Sequence, residues 1–137
     1  KFREIDMLED FFVTMTKNYP DKVIYVDFWA TWCSPCMMEM PYAKKIKKEF
    51  EGKDVVFVYL ANRCEEDAWK ATIAELEMEG EHYLLTDEQF GHLTTEFSFT
   101  GIPRYILVDR EGKVVNSNAP RPSSGEELTG LINQYLE

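Results

Sequence analysis

The stretch that decides the fold is Val23-Ile24-Tyr25-Val26-Asp27-Phe28-Trp29-Ala30-Thr31-Trp32-Cys33-Ser34-Pro35-Cys36. Its first six residues are almost continuously apolar, which is typical of a parallel strand that is buried on both faces. Cys33 and Cys36 then bracket a dipeptide whose proline suits the first turn of a helix. A Cys-x-x-Cys pair where a strand leads into a helix indicates a redox dithiol.

The start of that helix determines the chemistry expected of Cys33. Unpaired backbone N–H groups and the positive end of the helix dipole stabilise a thiolate, so a cysteine pKa there falls from about 8.5 to about 3.5–7.5. We expect Cys33 to be an exposed nucleophile. Cys36, one turn further along, is expected to be the more buried resolving thiol that attacks the mixed disulfide formed through Cys33.

Two structural alternatives for the pair are a plain disulfide and half of a zinc site. A zinc site needs two more ligands, and Cys64 with one of the two histidines is a poor set. We therefore expect no metal. Cys64 itself reads as a free cysteine at the end of the second strand, although a peroxidase would use it as a resolving partner. His82 and His92 are predicted to be surface or packing residues.

Two motifs resemble a known family. Residues Asp27 to Cys36 look like the active-site segment of the thioredoxin superfamily, and Met37-Met38-Glu39-Met40-Pro41 extends it to Cys-x-x-Cys-x-x-Glu-x-Pro. That longer motif is similar to the one in TlpA/ResA-like thiol–disulfide oxidoreductases of bacterial envelopes. Gly101-Ile102-Pro103, followed by a strand and Asp109-Arg110-Glu111-Gly112-Lys113, resembles the second signature of that family. The resemblance extends from Asp21 to the C-terminus.

Strands alternate with helices and end in a hairpin, which predicts an α/β fold with a central mixed β-sheet and helices on both faces. The resemblance identifies this arrangement with the thioredoxin fold, carrying an αβ insertion at about residues 65–97 between its two halves. We predict a single domain over residues 1–137, with a helical extension over residues 1–20. A second buried strand is expected over Val55 to Ala61, and a hairpin around Asp109 to Gly112.

Periodicity predicts the helices and their faces. The N-terminal extension has apolar residues at three- and four-residue steps, namely Ile5, Leu8, Phe12, Met15 and Tyr19. The helix after Cys33 is expected to bury Met40, Ala43, Ile46 and Phe50 and to turn Lys44, Lys45, Lys47 and Lys48 to water. A capping box around Ser123 and Ser124 is predicted to open the last helix.

Two acids are candidates for tuning the thiols. Asp27 lies within an apolar strand, where a carboxylate is costly unless it is used or neutralised. It matches the buried acid of thioredoxins, which implies proton transfer to the resolving cysteine; the alternative is a strand-end residue bonded to backbone or water. Glu39 matches the acid of the longer motif, which implies an influence on thiol ionisation. Its alternative is a solvated residue in an early helical turn.

The substrate-binding candidates are Trp32, Ile102 and Pro103. Pro103 resembles the cis-proline loop that lies against the disulfide in this superfamily, and a cis bond would present the Ile102 backbone to an extended substrate segment. The alternative is an ordinary trans proline that starts a strand. Trp32 is expected to shield the disulfide, whereas Trp29 is expected to pack beneath it. Arg104 departs from the family pattern and is read as a solvated strand-end residue or a cation beside the thiols.

The bulk composition limits the classes of function. The chain has 137 residues and a net charge of −10, which suits one domain and disfavours nucleic-acid binding. Glu65 to Glu88 contains nine acidic residues and one basic residue, a net −8, which would favour basic partners. No apolar run approaches the roughly 20 residues that span a bilayer. The sequence begins at Lys1 rather than Met, so we expect it to be cut from something longer.

These features predict a thiol–disulfide oxidoreductase that exchanges disulfides with partner proteins, without a dissociable cofactor and as a monomer. The resemblance implies a reductant of the periplasm or cell envelope, alone or as the C-terminal domain of a secreted or anchored protein. It also implies a membrane thiol-relay protein as electron donor. Two alternatives stay open. One is a thiol peroxidase related to peroxiredoxins, and the other is a binding module in which the cysteine pair only holds a partner.

Overall fold

The computed structural model describes residues 1–5 and 11–137. Its strands are β1 (Phe2–Arg3), β2 (Val23–Trp29), β3 (Val55–Asn62), β4 (Glu81–Leu85), β5 (Arg104–Val108) and β6 (Val114–Asn116). Its α-helices are α1 (Phe11–Lys17), α2 (Ser34–Glu49), α3 (Glu66–Glu75), α4 (Asp87–Glu96) and α5 (Glu126–Leu136), and a 3₁₀ turn spans Pro122–Ser124.

The strands form one mixed sheet in the order β1-β4-β3-β2-β5-β6. The pairs β2–β3, β3–β4 and β1–β4 are parallel, and β5 is antiparallel to both β2 and β6. Every residue of β2 is buried. The continuous apolar run of β2 is explained by its place near the middle of a sheet that is covered on both faces.

Alternate residues of β2 contact different helices. Ile24, Val26 and Phe28 pack in one core cluster with residues of α1 and α4. Tyr25 and Trp29 point to the opposite face, where the core includes residues of α2, α3 and α5. Because side chains alternate along a strand, Asp27 faces the same side as α2, the helix that contains Cys36. The predicted α/β class, with a mixed sheet and helices on both faces, is confirmed.

The N-terminal region differs from the predicted helical extension. Phe2 and Arg3 form an edge strand beside β4, and the first described helix begins at Phe11. Leu8, which the periodicity placed on the helix, lies outside the described residues. Two residues are too few for a strand pattern in the sequence, and β1 is recognisable only through its pairing with β4.

The start of α5 also differs from its prediction. Gly125 is the N-cap and makes no side-chain capping bond. Ser123 belongs to the preceding 3₁₀ turn, and its hydroxyl donates to Glu39. The prediction of a capping box at this helix was therefore wrong. The Ser123 hydroxyl, which would have capped the helix, donates instead to Glu39, a carboxylate distant in sequence. Thr86 and Gln89 form a reciprocal capping box at the start of α4 instead.

The hairpin between β5 and β6 is confirmed. The Asp109 carboxylate accepts the backbone N–H groups of Glu111 and Lys113, both at 2.9 Å. Gly112 has a φ of +83°, which a residue with a Cβ adopts rarely. Among residues 1–5 and 11–137, no helix combines the length and apolar character needed to cross a membrane.

Candidate functional site

Cys33 and Cys36 form a disulfide at the start of α2, with their Cα atoms 5.3 Å apart. Cys33 is the N-cap residue, and its sulfur accepts the backbone N–H of Cys36 at 3.2 Å. This is the bond expected of a side chain that caps a helix, and it directs an N–H dipole at the sulfur. The helix therefore begins where the sequence predicted, with the outer sulfur at its positive end.

The exposure of Cys33 differs from its prediction. Cys33 keeps only 5% of its surface accessible, and Cys36 keeps none. The two cysteines belong to a core cluster with Trp29, Met40 and Tyr59, and Ile102 packs against that cluster. Cys33 was expected to be exposed; in the disulfide form it is nearly covered, although it still lines a surface cleft. The order of exposure, with Cys33 outside Cys36, is as predicted.

The cleft beside Cys33 has a volume of about 580 Å³. Trp32, which is 58% exposed, lines it, and its indole N–H donates to the Arg63 carbonyl at 2.9 Å. The other lining residues are Ser34, Pro35, Asn62, Arg63, Phe90, Thr100, Gly101 and Ile102. The cleft thus combines apolar walls with exposed backbone next to the outer sulfur.

The structure brings two of the three predicted substrate-binding residues, Trp32 and Ile102, to one cleft, and Pro103 is next in sequence to Ile102. Ile102 lines the same cleft as Trp32, and the Ile102–Pro103 peptide bond is cis. Trp29 is fully buried in the cluster around the disulfide, as expected. The guanidinium of Arg104 lies 5.0 Å from the centre of the Phe99 ring and donates to the Ser117 carbonyl. Arg104 is therefore a strand-end residue held against the protein, and it is not free in water.

Asp27 is 2% exposed, and its Oδ1 has no hydrogen-bond partner among the described residues. Burial raises the pKa of Asp27 to about 8; the charge of Lys47 acts to lower it, and the charge of Glu39 acts to raise it. Asp27 therefore holds a proton in the folded protein near neutral pH. A buried acid with such a pKa, on the α2 side of the sheet, is suited to exchange a proton with a buried thiol.

Lys47 corrects the prediction that the lysines of α2 all face water. Its ammonium donates to the hydroxyl of Tyr59 at 2.8 Å and to the carbonyl of Glu79 at 2.9 Å. It also lies 4.9 Å from the centre of the Tyr59 ring. Burial lowers the pKa of Lys47 to about 8, against the opposing charge of Asp27. Cys36, Met40, Ala43 and Lys47 follow one another at steps of three or four residues, which places Lys47 at the edge of the buried face of α2. This spacing was overlooked because several lysines occur together on the helix.

Glu39 is buried, so it is not the solvated residue of an early helical turn that was the alternative interpretation. Its two carboxylate oxygens accept from the backbone N–H and the hydroxyl of Ser123, both at 2.8 Å. These bonds tie α2 to the 3₁₀ turn that precedes α5. Ser123 was assigned to a helix cap in the sequence, and nothing in a local pattern could have paired it with a residue 84 positions away.

Cys64 is a free cysteine, as predicted. Its sulfur accepts the backbone N–H of Thr31 at 3.4 Å and donates to the Asn62 carbonyl at 3.2 Å. His82 is buried, and its ring stacks on Tyr59 with centroids 4.9 Å apart. Burial lowers the pKa of His82 to about 4, so it is a neutral packing residue near pH 7. His92, at 3.9 Å from Glu96, is on the outer side of α4.

Comparison with known proteins identifies the family. A family model described as Redoxin matches residues 1–131. The thiol-disulfide oxidoreductase ResA from Bacillus thuringiensis subsp. konkukian is 24% identical over 121 residues, which cover 88% of this chain and 65% of that protein. The chain thus spans about 65% of the length of this curated relative.

Solved structures show the same fold. The thioredoxin domain of a thiol-disulfide oxidoreductase from Bacteroides vulgatus has a TM-score of 0.76 and 28% identity, covering 88% of this chain and 84% of that one. A thiol:disulfide interchange protein from Bacteroides sp. has a TM-score of 0.74 and 28% identity, covering 87% of this chain and 76% of that one.

The family model covers almost the whole chain, and the structural neighbours share its mixed sheet. The relatives are named for thiol–disulfide chemistry, and here Cys33 and Cys36 form a pair that is consistent with a dithiol redox site. The chain therefore belongs to the Redoxin family and is a TlpA/ResA-like protein of the thioredoxin superfamily.

Proposed function

We propose that this protein is a thiol–disulfide oxidoreductase that exchanges disulfides with partner proteins through Cys33 and Cys36. The observation that supports this most directly is the disulfide at the start of α2, whose outer cysteine lines an open cleft. A structural disulfide would have no need of a cleft at one sulfur. The helix start also stabilises the thiolate that appears whenever the disulfide is opened.

The reaction transfers two electrons from the protein to its substrate. In the reduced protein, the Cys33 thiolate attacks one sulfur of the substrate disulfide, forms a mixed disulfide and releases the other substrate sulfur as a thiolate. Cys36 loses its proton and attacks the Cys33 sulfur. The Cys33–Cys36 disulfide forms, the second substrate sulfur leaves as a thiolate, and the substrate is reduced. With a different electron supply the same steps run in reverse.

The carboxylate form of Asp27, which is the minor form near pH 7 and becomes more abundant toward pH 8, is proposed to take the proton of Cys36 in the second step. Its side chain faces the α2 side of the sheet, and its pKa of about 8 lies close to the ordinary thiol value of about 8.5. Matched pKa values let the proton move in either direction without a large barrier. We still predict that Glu39 influences the ionisation of the thiols, with its carboxylate held by a hydrogen bond from Ser123.

The cleft is proposed to hold the substrate segment around its cysteine. Trp32 and Ile102 both line the cleft beside Cys33 and offer apolar contact, and Gly101 and Ile102 bring backbone to the same space. An extended peptide can pair with exposed backbone there in strand fashion. These contacts select a polypeptide over a small disulfide.

The physiological setting is proposed from the family resemblance. The TlpA/ResA-like class, to which the relatives named ResA belong, implies a reductant of the periplasm or cell envelope that receives electrons from a membrane thiol-relay protein. We propose the same setting for this chain, which acts as a monomer on protein disulfides.

The test is a trapping experiment with single-cysteine substitutions. Replacing Cys36 with serine removes the resolving thiol, so we expect mixed disulfides through Cys33 to accumulate with disulfide-bonded proteins of the cell envelope. Cys33→Ser should trap none, and Cys64→Ser should behave as the unaltered protein. Loss of peroxide without reduction of any protein disulfide would favour the peroxidase alternative. A Cys36→Ser protein that traps nothing would favour the binding module.

A further inference from the structure

Asn62 brings a buried amide to the cleft beside Cys33. It is the last residue of β3, it is 2% exposed, and it lines the cleft. Its Oδ1 is buried and has no hydrogen-bond partner among the described residues. Because side chains alternate along a strand, the amide lies on the same side of the sheet as Leu60, which packs in the core cluster that includes residues of α4. Phe90 of α4 lines the same cleft.

A buried polar atom without a partner is costly, and in folded proteins such atoms are few. Within residues 1–5 and 11–137, six buried side chains have one: Asp27, Trp29, Asn62, Trp69, His82 and Tyr105. Of these six residues, Asn62 alone lines the cleft beside Cys33. A hydrogen-bond donor that enters the cleft with a substrate would therefore relieve the cost of this amide and of none of the others.

The chain turn after β3 does not depend on the amide of Asn62. Arg63 has a φ of +52°, and its carbonyl accepts the indole N–H of Trp32 at 2.9 Å. The backbone carbonyl of Asn62 accepts from the Cys64 sulfur at 3.2 Å. The side-chain oxygen of Asn62 accepts none of these bonds. The turn is thus held through backbone carbonyls, and the oxygen is left for a partner from outside the described residues.

We propose that Asn62 is a specificity-determining residue whose amide oxygen accepts a backbone N–H of the substrate segment, an inference that rests on the proposed function. Rotation about the Cβ–Cγ bond, a torsion with broad preferences in asparagine, turns the oxygen toward the cleft. Ile102 lines the same cleft, so one extended segment meets both residues. A small disulfide without a peptide backbone leaves the amide unpaired, and the cleft therefore favours polypeptides.

The test compares two disulfides that release the same coloured aromatic thiol. In one, the aromatic thiol is joined to the cysteine of a short peptide; in the other, it is joined to mercaptoethanol, which has no backbone. The Cys33 thiolate of the reduced protein attacks the aliphatic sulfur and forms a mixed disulfide, and the aromatic thiolate leaves because its thiol has the lower pKa. Every protein carries Cys64→Ser. Release that is the same in Cys33→Ser would overturn the proposed function and this inference with it.

Asn62→Leu removes the amide and nearly keeps its shape. We expect the rate constant with the peptide to fall on the order of tenfold, while that with mercaptoethanol stays within about twofold. Asn62→Leu should be no less stable to urea than the unaltered protein, because the lost oxygen has no partner in the free protein. Asn62→Ala repeats the comparison without added bulk. Asn133→Leu, at an exposed position on α5, should change neither rate.

Methylation of single backbone nitrogens beside the substrate cysteine removes the donor from the other partner. At one position it should slow the unaltered protein on the order of tenfold but Asn62→Leu by less than about twofold, since that bond is already lost. A ratio of peptide to mercaptoethanol rates that stays within about twofold in both Asn62→Leu and Asn62→Ala would overturn this inference alone. A lower urea midpoint with equal slowing of both substrates would show a structural amide and overturn it as well.

Discussion

At the scale of single residues, the site depends on how buried charges are compensated. Asp27 is buried and Lys47 is partly buried, and burial shifts the pKa of each to about 8, upward for Asp27 and downward for Lys47. Strongly shifted pKa values cluster at functional sites, so these two residues are candidates for a functional role. The apolar strand pattern made Asp27 conspicuous in the sequence. Lys47 escaped notice because three other lysines on the same helix do face water.

Asp27→Asn should make folding stability less dependent on pH. Asp27 has a folded pKa of about 8 against an ordinary value of 3.8, so the folded protein holds a proton that the unfolded chain lacks between these values. Its contribution is complete below about pH 4 and is lost as pH rises through 8. Relative to the unaltered protein, Asp27→Asn should therefore gain stability steadily from pH 4 to 8, by about 2–5 kcal/mol in total.

Urea unfolding of the oxidised protein at several pH values measures this gain. Asp67→Asn changes an exposed acid and should leave the pH profile almost unaltered. If Asp27→Asn and the unaltered protein lose stability in parallel as pH rises, Asp27 is not protonated in the folded state.

Glu39→Ala should weaken the link between α2 and the 3₁₀ turn. Its carboxylate accepts two bonds from Ser123, and losing charge-assisted bonds from a buried acceptor costs about 1–3 kcal/mol. Glu39→Gln keeps an amide oxygen for one of the bonds and should lose less. Ser123→Ala removes only the hydroxyl bond, and its effect should shrink strongly in a Glu39→Ala background. Additive losses in the double variant would show that the two residues do not act together.

At the scale of elements, the long and strongly patterned segments were predictable. The apolar run of β2 and the dithiol at the start of α2 appear where the sequence placed them. The elements that were missed depend on distant partners: β1 exists through its pairing with β4, and the 3₁₀ turn binds Glu39. The burial of Cys33 was missed for the same reason, since the core cluster to which it belongs is packed by residues far along the chain, such as Ile102.

Gly80→Ala should destabilise the connection between α3 and β4. Gly80 has a φ of +142°, and a Cβ there would lie 2.6 Å from the Phe57 carbonyl oxygen. The strain and the clash with backbone predict a loss of about 2–4 kcal/mol. Gly91→Ala is the matched control, because Gly91 lies inside α4 and a Cβ added there would meet no atom within 4 Å. It should gain about 0.5–1 kcal/mol. Equal effects of the two changes in thermal unfolding would contradict this account of the turn.

At the scale of the whole molecule, one sheet places every part of the site. β2 contains Asp27 and leads into Cys33. β3 contains Tyr59, whose hydroxyl accepts a hydrogen bond from Lys47. The chain before β5 places Ile102 at the cleft. The overall architecture followed from the alternation of strands and helices, and the resemblance supplied its family. The electrostatic interaction between Asp27 and Lys47 was not predicted. The two residues lie on different elements, β2 and α2, and the sequence alone does not show how these elements pack.

The net charge of −10 should make partner choice depend on salt. None of the nine acids between Glu65 and Glu88 lines the cleft, so their influence on a partner acts through the long-range field. Reduction of a basic disulfide-bonded protein should slow as salt rises from about 0.02 to about 0.5 M, whereas a neutral one should be unaffected. Rates for both substrates that stay flat across this range would remove any role for the acidic segment.

The most direct test of the central claim is the rate of alkylation of each cysteine in the reduced protein, followed against pH and assigned by peptide mass. We predict that Cys33 is modified first and that its rate rises with a midpoint below about 8.5, because the N–H groups at the start of α2 stabilise its thiolate. Cys36 and Cys64 should react more slowly at every pH. Faster alkylation of either of these, or a Cys33 midpoint at or above about 8.5, would contradict the account.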